Sequence, residues 1–152
     1  MIYGRLIDSK AIVPVIFRLP TQRDFSINFI IDTGFNDHLT LPPQAVSAMN
    51  LPLYSTTLAR LADGRETLLS IHLATIVWDN REKVVPILAS GFKPLLGTAL
   101  TAGYHLEIDF EENGLVSLEQ IPPGDRGKAG SRVSLERGGK PTRAVLTAAN
   151  IL

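Results

Sequence analysis

The spacing of apolar and polar residues predicts a chain built mainly of β-strands. In the stretch DFSINFIID, every second residue from Phe25 to Ile31 is apolar, while Ser26 and Asn28 are polar. This period of two is typical of a strand with one buried face. Other strand-like runs lie at residues 11–17, 56–78, 83–88, 104–110 and 115–121. The pattern therefore predicts an all-β body.

Turn residues separate these runs at regular intervals. Asp63-Gly64 divides residues 56–78 into two strand-like arms, and Asp-Gly in this position favours a two-residue β-hairpin. The polar groups DNRE (79–82) and EENG (111–114) mark two further turns between strands. We therefore expect a succession of antiparallel hairpins.

Two short helices are predicted between the strands. Residues 42–50 have Pro43 where a first helical turn accepts proline, and Asn50 where the C-terminal cap would lie. Residues 97–103 offer Thr98 as an N-cap, followed by alanine and leucine.

The composition divides the chain into a body and a tail. The 152 residues, of which 45% are hydrophobic, suffice for one domain with a core. Residues 1–121 contain 9 Lys+Arg and 13 Asp+Glu, whereas residues 122–152 contain 6 and 2. The second stretch is rich in glycine and proline until its apolar end, residues 144–152. We predict a domain over 1–121 and a flexible basic C-terminal tail over 122–152, with the apolar end forming a short element or docking on the body.

Several classes of function are disfavoured by composition. The chain has no cysteine, which excludes disulfides, thiolate catalysis and cysteine metal sites. No apolar run is long enough for a membrane span, and the first residues lack the pattern of a signal peptide, so a cytoplasmic protein without a membrane partner is expected. The basic tail has no interleaved aromatic residues, and a nucleic-acid partner is not expected.

The most informative motif is the triplet Asp32-Thr33-Gly34, which follows the apolar strand directly. An isolated buried carboxylate is costly, so Asp32 must be hydrogen-bonded, paired, protonated or exposed. The triplet alone is also compatible with a simple turn in which the aspartate caps backbone amides. About sixty residues later, KPLLGTALTAGY brings a second apolar pair before Gly97 and a short helix.

This ordered set of motifs resembles the retropepsin-like aspartic proteases, specifically the small bacterial single-domain type, over residues 1–121. The resemblance implies an all-β fold, a closed or partly open β-barrel with one or two short helices, active as a two-fold homodimer. It implies an aspartic endopeptidase acting on peptides or proteins, in which Asp32 of each subunit, supported by Thr33 and Gly34, activates a water. It implies no metal and no cofactor. Two carboxylates held close together share one proton, so that one serves as base and the other as acid.

The resemblance also indicates residues that contact substrate. The hairpin around Asp63-Gly64 falls where the family carries its flap, a mobile lid over bound peptide. The expected substrate-binding residues are Phe35, Asn36, Leu61, Ala62, Asp63, Gly64, Leu96 and Gly97.

The sequence departs from the retroviral pattern at two places. An arginine commonly follows the second glycine there and pairs with an acidic residue after the first motif, but this chain has Thr98 and Asn36. The hairpin tip carries charges instead of several glycines. These departures favour an alternative function: a non-catalytic peptide-binding or dimerisation module that retains the fold. The three histidines, His38, His72 and His105, have no spacing that supports a metal site.

Overall fold

The structure, a computed structural model, describes residues 1–60, 63–125 and 143–147. It confirms the all-β prediction. The strands are β1 (Ile2–Ile7), β2 (Lys10–Phe17), β3 (Phe25–Ile31), β4 (Leu39–Leu41), β5 (Leu53–Arg60), β6 (Glu66–Trp78), β7 (Arg81–Ala89), β8 (Leu95–Leu96), β9 (Tyr104–Asp109), β10 (Leu115–Gln120) and β11 (Arg143–Thr147). The described helices are α1 (Pro43–Ala48), α2 (Thr98–Thr101) and a 3₁₀ turn at Pro123–Asp125. No helix in these residues is long and apolar enough to cross a membrane.

The strands form one sheet in the order β11-β9-β10-β1-β2-β3-β8-β4-β7-β6-β5. The end of β2 also pairs with β6, through Ile16 with Val77 and Phe17 with Ile76. This extra pairing closes the strands β2, β3, β8, β4, β7 and β6 into a ring. Most neighbours are antiparallel, but β3 with β8 and β4 with β7 run parallel.

The buried core takes side chains from the strands of this ring and also from β1, β9 and β10. Phe29 of β3 and Phe17 of β2 are fully buried and stack with ring centroids 6.0 Å apart. Phe25 extends the stack on the other side of Phe17 at 5.9 Å. The alternation along residues 25–31 therefore anchors the strand that leads to Asp32.

Tight two-residue turns set the register of two hairpins. Asp8 and Ser9 connect β1 to β2, and Asp79 and Asn80 connect β6 to β7, all four with φ between 48° and 63°. Left-handed backbone at both central residues is typical of the turns that match strand twist, and Asp and Asn tolerate it. The turn predicted at residues 79–82 is confirmed at Asp79 and Asn80, whereas Arg81 and Glu82 already belong to β7.

The Asp63-Gly64 turn differs from the sequence prediction. The outermost described cross-strand pair of β5 and β6 joins Arg60 to Glu66, and Arg65 lies outside β6, so Asp63 and Gly64 alone do not form the connection. Gly64 does adopt a positive φ of 83°, as glycine permits. The prediction of a hairpin is confirmed, whereas the prediction of a two-residue loop is wrong.

Both predicted helices are confirmed, with shifted ends. In α1, Pro43 occupies the first helical turn, and the C-cap is Met49 rather than Asn50, which follows it with φ of 50°. In α2, the N-cap is Gly97 rather than Thr98. Of the apolar C-terminal end, residues up to Thr147 lie in β11, which pairs with β9; residues 148–152 lie outside the described part of the chain.

Candidate functional site

Parallel pairing of β3 with β8 brings the two sequence motifs together. Ile30 pairs with Leu95 and Ile31 with Leu96. One residue beyond the strand, the Asp32 N–H donates to the carbonyl oxygen of Leu96 at 2.9 Å. The apolar pair before Gly97 therefore fixes the backbone at which Asp32 leaves the sheet.

The Asp32 side chain is oriented by a backbone hydrogen bond. It is half-buried, and its Oδ1 accepts the Gly34 N–H at 2.9 Å. The Phe35 N–H closes the turn by donating to the Asp32 carbonyl oxygen at 3.2 Å. Among the described residues, none of the ion pairs includes Asp32. A carboxylate with free lone pairs thus lies at the tip of a core strand, beside the exposed Thr33 and Gly34.

Gly97 is wedged against the loop that follows the triplet. A Cβ at this position would lie 2.2 Å from the Asp37 carbonyl oxygen, 2.5 Å from Cδ1 of Phe35 and 2.6 Å from the Phe35 carbonyl oxygen. The Gly97 φ of −98° is accessible to any residue. Glycine is therefore required by close approach and not by backbone conformation.

Three backbone hydrogen bonds fasten this contact. The Gly97, Thr98 and Ala99 N–H groups donate to the carbonyl oxygens of His38 at 2.9 Å, Phe35 at 2.8 Å and Asp37 at 3.2 Å respectively. The first turn of α2 thus uses its free N–H groups to hold the loop after Asp32.

Thr98 does not cap the helix with its side chain. Its hydroxyl donates to the Phe35 carbonyl oxygen at 3.4 Å, the same oxygen that accepts its N–H. Thr98 therefore ties α2 to the aspartate loop at the position where the retroviral pattern has an arginine. Asn36, in the position of the acidic partner, is exposed.

His38 is the last residue of the loop that follows Asp32, directly before β4. Burial, together with the positive charge of Lys83, holds its pKa below the usual value, although the carboxylate of Asp37 acts in the opposite direction. Its Nδ1 is buried without a hydrogen-bond partner among the described residues. This environment favours the neutral imidazole.

The hairpin that was predicted to be a flap carries charges at its turn. Arg65 Nε donates to Asp63 Oδ2 at 2.5 Å, and Arg60 pairs with Glu66 at 3.3 Å. Leu61 and Ala62 lie outside the described residues. Asp63 and Gly64 are exposed, and in the described chain no hydrogen bond joins this turn to the aspartate loop.

A cavity beside the triplet was missed by the sequence analysis. It has a volume of about 240 Å³ and is mostly apolar. Its lining consists of Leu6, Ser9, Lys10, Ala11, Ile30, Ile31, Thr33, Leu106, Ile108 and Phe110. Three distant segments meet there, and only Thr33 belongs to a motif visible in the sequence.

The expected site residues thus divide into two groups. The structure brings together Asp32, Gly34, Phe35, Leu96 and Gly97, with Thr33 between the first two, whereas Asp63 and Gly64 belong to a separate hairpin. No cluster of three or more His, Cys, Asp or Glu side chains suited to a metal ion occurs in the described residues. Comparison with protein-family models, with curated proteins and with solved structures produced no match.

Proposed function

We propose that this chain is an aspartic endopeptidase of the retropepsin-like type that works as a homodimer. The observation that supports this most directly is the state of Asp32: half-buried, oriented by the Gly34 N–H and without an ion pair to any described residue. The bond from the Gly34 N–H is the cap that a purely structural aspartate in a turn would also make. Here only one oxygen accepts a hydrogen bond from the described residues, so the carboxylate retains capacity for a water and a proton.

The dimer follows from the chemistry, since the sequence contains a single Asp-Thr-Gly. A water is activated when one carboxylate removes its proton while a second, protonated carboxyl donates to the scissile carbonyl oxygen. The water oxygen bonds to the carbonyl carbon, and the C–N bond breaks as the amine nitrogen takes up a proton. The second Asp32 must come from another copy. The exposure of Thr33 and Gly34 leaves this loop accessible to that copy.

The surrounding geometry supports a rigid catalytic loop. Asp32 is tied to Leu96, and the loop after it is clamped by Gly97 and Thr98. Such a support restricts the aspartate to one position, which catalysis requires. In this proposal the β5–β6 hairpin serves as the flap and the cavity beside Thr33 adjoins the peptide-binding cleft.

The experiment is a peptide-library digest with the wild type and Asp32→Asn, scanned from acidic to neutral pH. We expect cleavage by the wild type, with a bell-shaped pH profile from the shared proton, and no cleavage by Asp32→Asn. Asp37→Asn is the matched control, because Asp37 is exposed and contacts α2 through its carbonyl oxygen. Cleavage that survives Asp32→Asn, or that is lost on adding EDTA, would refute the mechanism.

A non-catalytic peptide-binding or dimerisation module is the second candidate function. Its support is the charged hairpin turn and the Thr98 in place of the expected arginine. In the same assay, this function would appear as peptide binding by the wild type and by Asp32→Asn with no product from either.

A further inference from the structure

The outermost strand of the sheet comes from the C-terminal segment. β11 pairs antiparallel with β9, Arg143 opposite Asp109 and Thr147 opposite His105. The other edge of β9 is occupied by β10. Between the 3₁₀ turn that ends at Asp125 and β11 lie residues 126–142, so the strand that covers the β9 edge is tethered through 17 residues.

The β9–β10 hairpin and the C-terminal segment carry opposite net charges. Residues 104–120, which form β9, β10 and their turn, contain five carboxylates and no lysine or arginine. Residues 126–143 contain six Lys+Arg and one Glu, a net charge of +5. A second copy of the acidic hairpin would be repelled from this edge, whereas a basic segment would be attracted over roughly the 10 Å Debye length at 0.1 M salt.

The same edge adjoins the candidate active site. Leu106 and Ile108 of β9, with Phe110 just beyond it, line the cavity that Thr33 also lines. Ala144 and Leu146 are the register partners of Ile108 and Leu106. A segment bound at this edge is therefore a direct neighbour of a strand that lines this cavity.

We propose that the edge of β9 opposite β10 is a strand-docking site for extended segments in which basic residues precede a short apolar run, and that residues 143–147 occupy it as a tethered, displaceable ligand. Backbone hydrogen bonds supply the affinity, and the acidic hairpin selects the charge. A short tether gives the resident strand an effective concentration on the order of mM. A free peptide of the same pattern must compete with it. This inference is independent of the chemistry at Asp32.

The first test removes β11 in the full-length chain by Ala144→Pro together with Val145→Pro. Successive residues of an antiparallel strand alternate between hydrogen-bonded and unbonded positions, so one of the two prolines must delete a ladder donor. The matched control is Ser134→Pro with Leu135→Pro, which lies between the two paired regions in sequence. By hydrogen exchange, we expect the alternate β9 amides that face β11 to exchange at least about tenfold faster in the β11 variant and to be unchanged in the control. The β9 amides that face β10 should stay protected in both variants.

Exchange in β6 and β7 reports whether the variants fold. If those strands stay protected and β9 exchanges at the wild-type rate, β11 does not dock and the proposal is wrong. If the control accelerates β9 exchange as much as the β11 variant does, the effect does not belong to the docked strand, and the proposal is equally wrong.

The second test supplies the ligand in trans. A synthetic peptide of residues 141–152 should restore β9 protection in the β11 variant, several-fold less effectively when it carries Arg143→Glu. The protein change Asp109→Lys should reverse the preference, so that the Arg143→Glu peptide binds better than the wild-type peptide. In the unchanged protein, 1 M salt should weaken binding of the wild-type peptide, because salt screens the attraction. The docking-site proposal is wrong if the peptide binds without protecting the β9 amides, or if its affinity is the same with both charge changes and in 1 M salt. None of these readouts uses proteolysis, so a failed docking site and a failed protease are distinguished.

Discussion

Replacing Gly97 by alanine should damage both the fold and the candidate site. The new Cβ would begin 2.2 Å from the Asp37 carbonyl oxygen, and that atom must retreat by at least 1.2 Å to reach the 3.4 Å at which ordinary contact begins. The obstructing atoms include two backbone oxygens, which cannot move away by rotating a side chain. Overpacking of this kind costs roughly 1–3 kcal/mol.

Displacing the Asp37 carbonyl oxygen also disturbs the hydrogen bonds between α2 and the loop that follows Asp32. Those donated by Thr98 to Phe35 and by Ala99 to Asp37 are 2.8 and 3.2 Å long, and a shift of this size breaks or weakens them at about 1 kcal/mol each. We therefore expect a total loss of roughly 4 kcal/mol in the free energy of unfolding, the middle of the combined range. For a chain of this length, that loss lowers Tm by about 8–16 °C.

Two other glycines provide controls for urea and thermal unfolding. A Cβ at Gly124 meets nothing within 4 Å, so Gly124→Ala should change stability by less than about 0.5 kcal/mol. Gly64 also has open space but a φ of +83°, and its alanine variant should lose about 1 kcal/mol from backbone strain alone. If Gly97→Ala is no more destabilising than Gly124→Ala, the close contact between α2 and the aspartate loop does not exist.

The remaining predictions concern the core and the loop histidine. Phe29→Ala should cost about 3–5 kcal/mol in urea unfolding, because Phe29 is fully buried and stacked on Phe17; the same change at Phe92, which is 98% exposed, should cost almost nothing, and similar losses at both would contradict the buried stack. The pKa of His38 lies below its usual 6.5 through burial and Lys83, so the unfolded chain takes up this proton more readily and stability falls as the pH drops through about 6.5. Comparing urea midpoints at pH 7.5 and 5.5, His38→Gln should lose less stability on acidification than the wild type; an equal loss would show that His38 does not titrate in this way.

The long strands were predictable because each carries its own periodic pattern. Residues 25–31 alternate, and the structure has β3 at Phe25–Ile31. The strands β4 and β8 have three and two residues, too few to display any period. They exist because of their neighbours: β8 lies between β3 and β4, and β4 between β8 and β7. Such strands are determined by tertiary contacts that one sequence does not display.

In the candidate site too, residues with a local sequence signal were predictable, and features that depend on distant contacts were not. Asp32 and Gly97 were found because each ends or follows an apolar run, and the structure joins their two segments. The error at Thr98 arose because a threonine before a helix is an ordinary cap, whereas here its hydroxyl is directed to Phe35. The cavity could not be predicted, because residues 6–11, 30–33 and 106–110 meet only after folding.

The parallel pairing of β3 with β8 has a consequence for the order of folding. Ile31 and its partner Leu96 are 65 positions apart in the chain, whereas β6 and β7 are joined by a two-residue turn. Closing a long loop costs more entropy than closing a hairpin, and pairs distant in sequence form late. The hairpins are thus expected to form first. The pairing of β8 with β3, which fixes the Asp32 backbone through Leu96, is expected to form when most of the sheet is in place. During synthesis, the chain carries the Asp-Thr-Gly triplet well before β8 has been made, so any activity of this loop must await the completed fold.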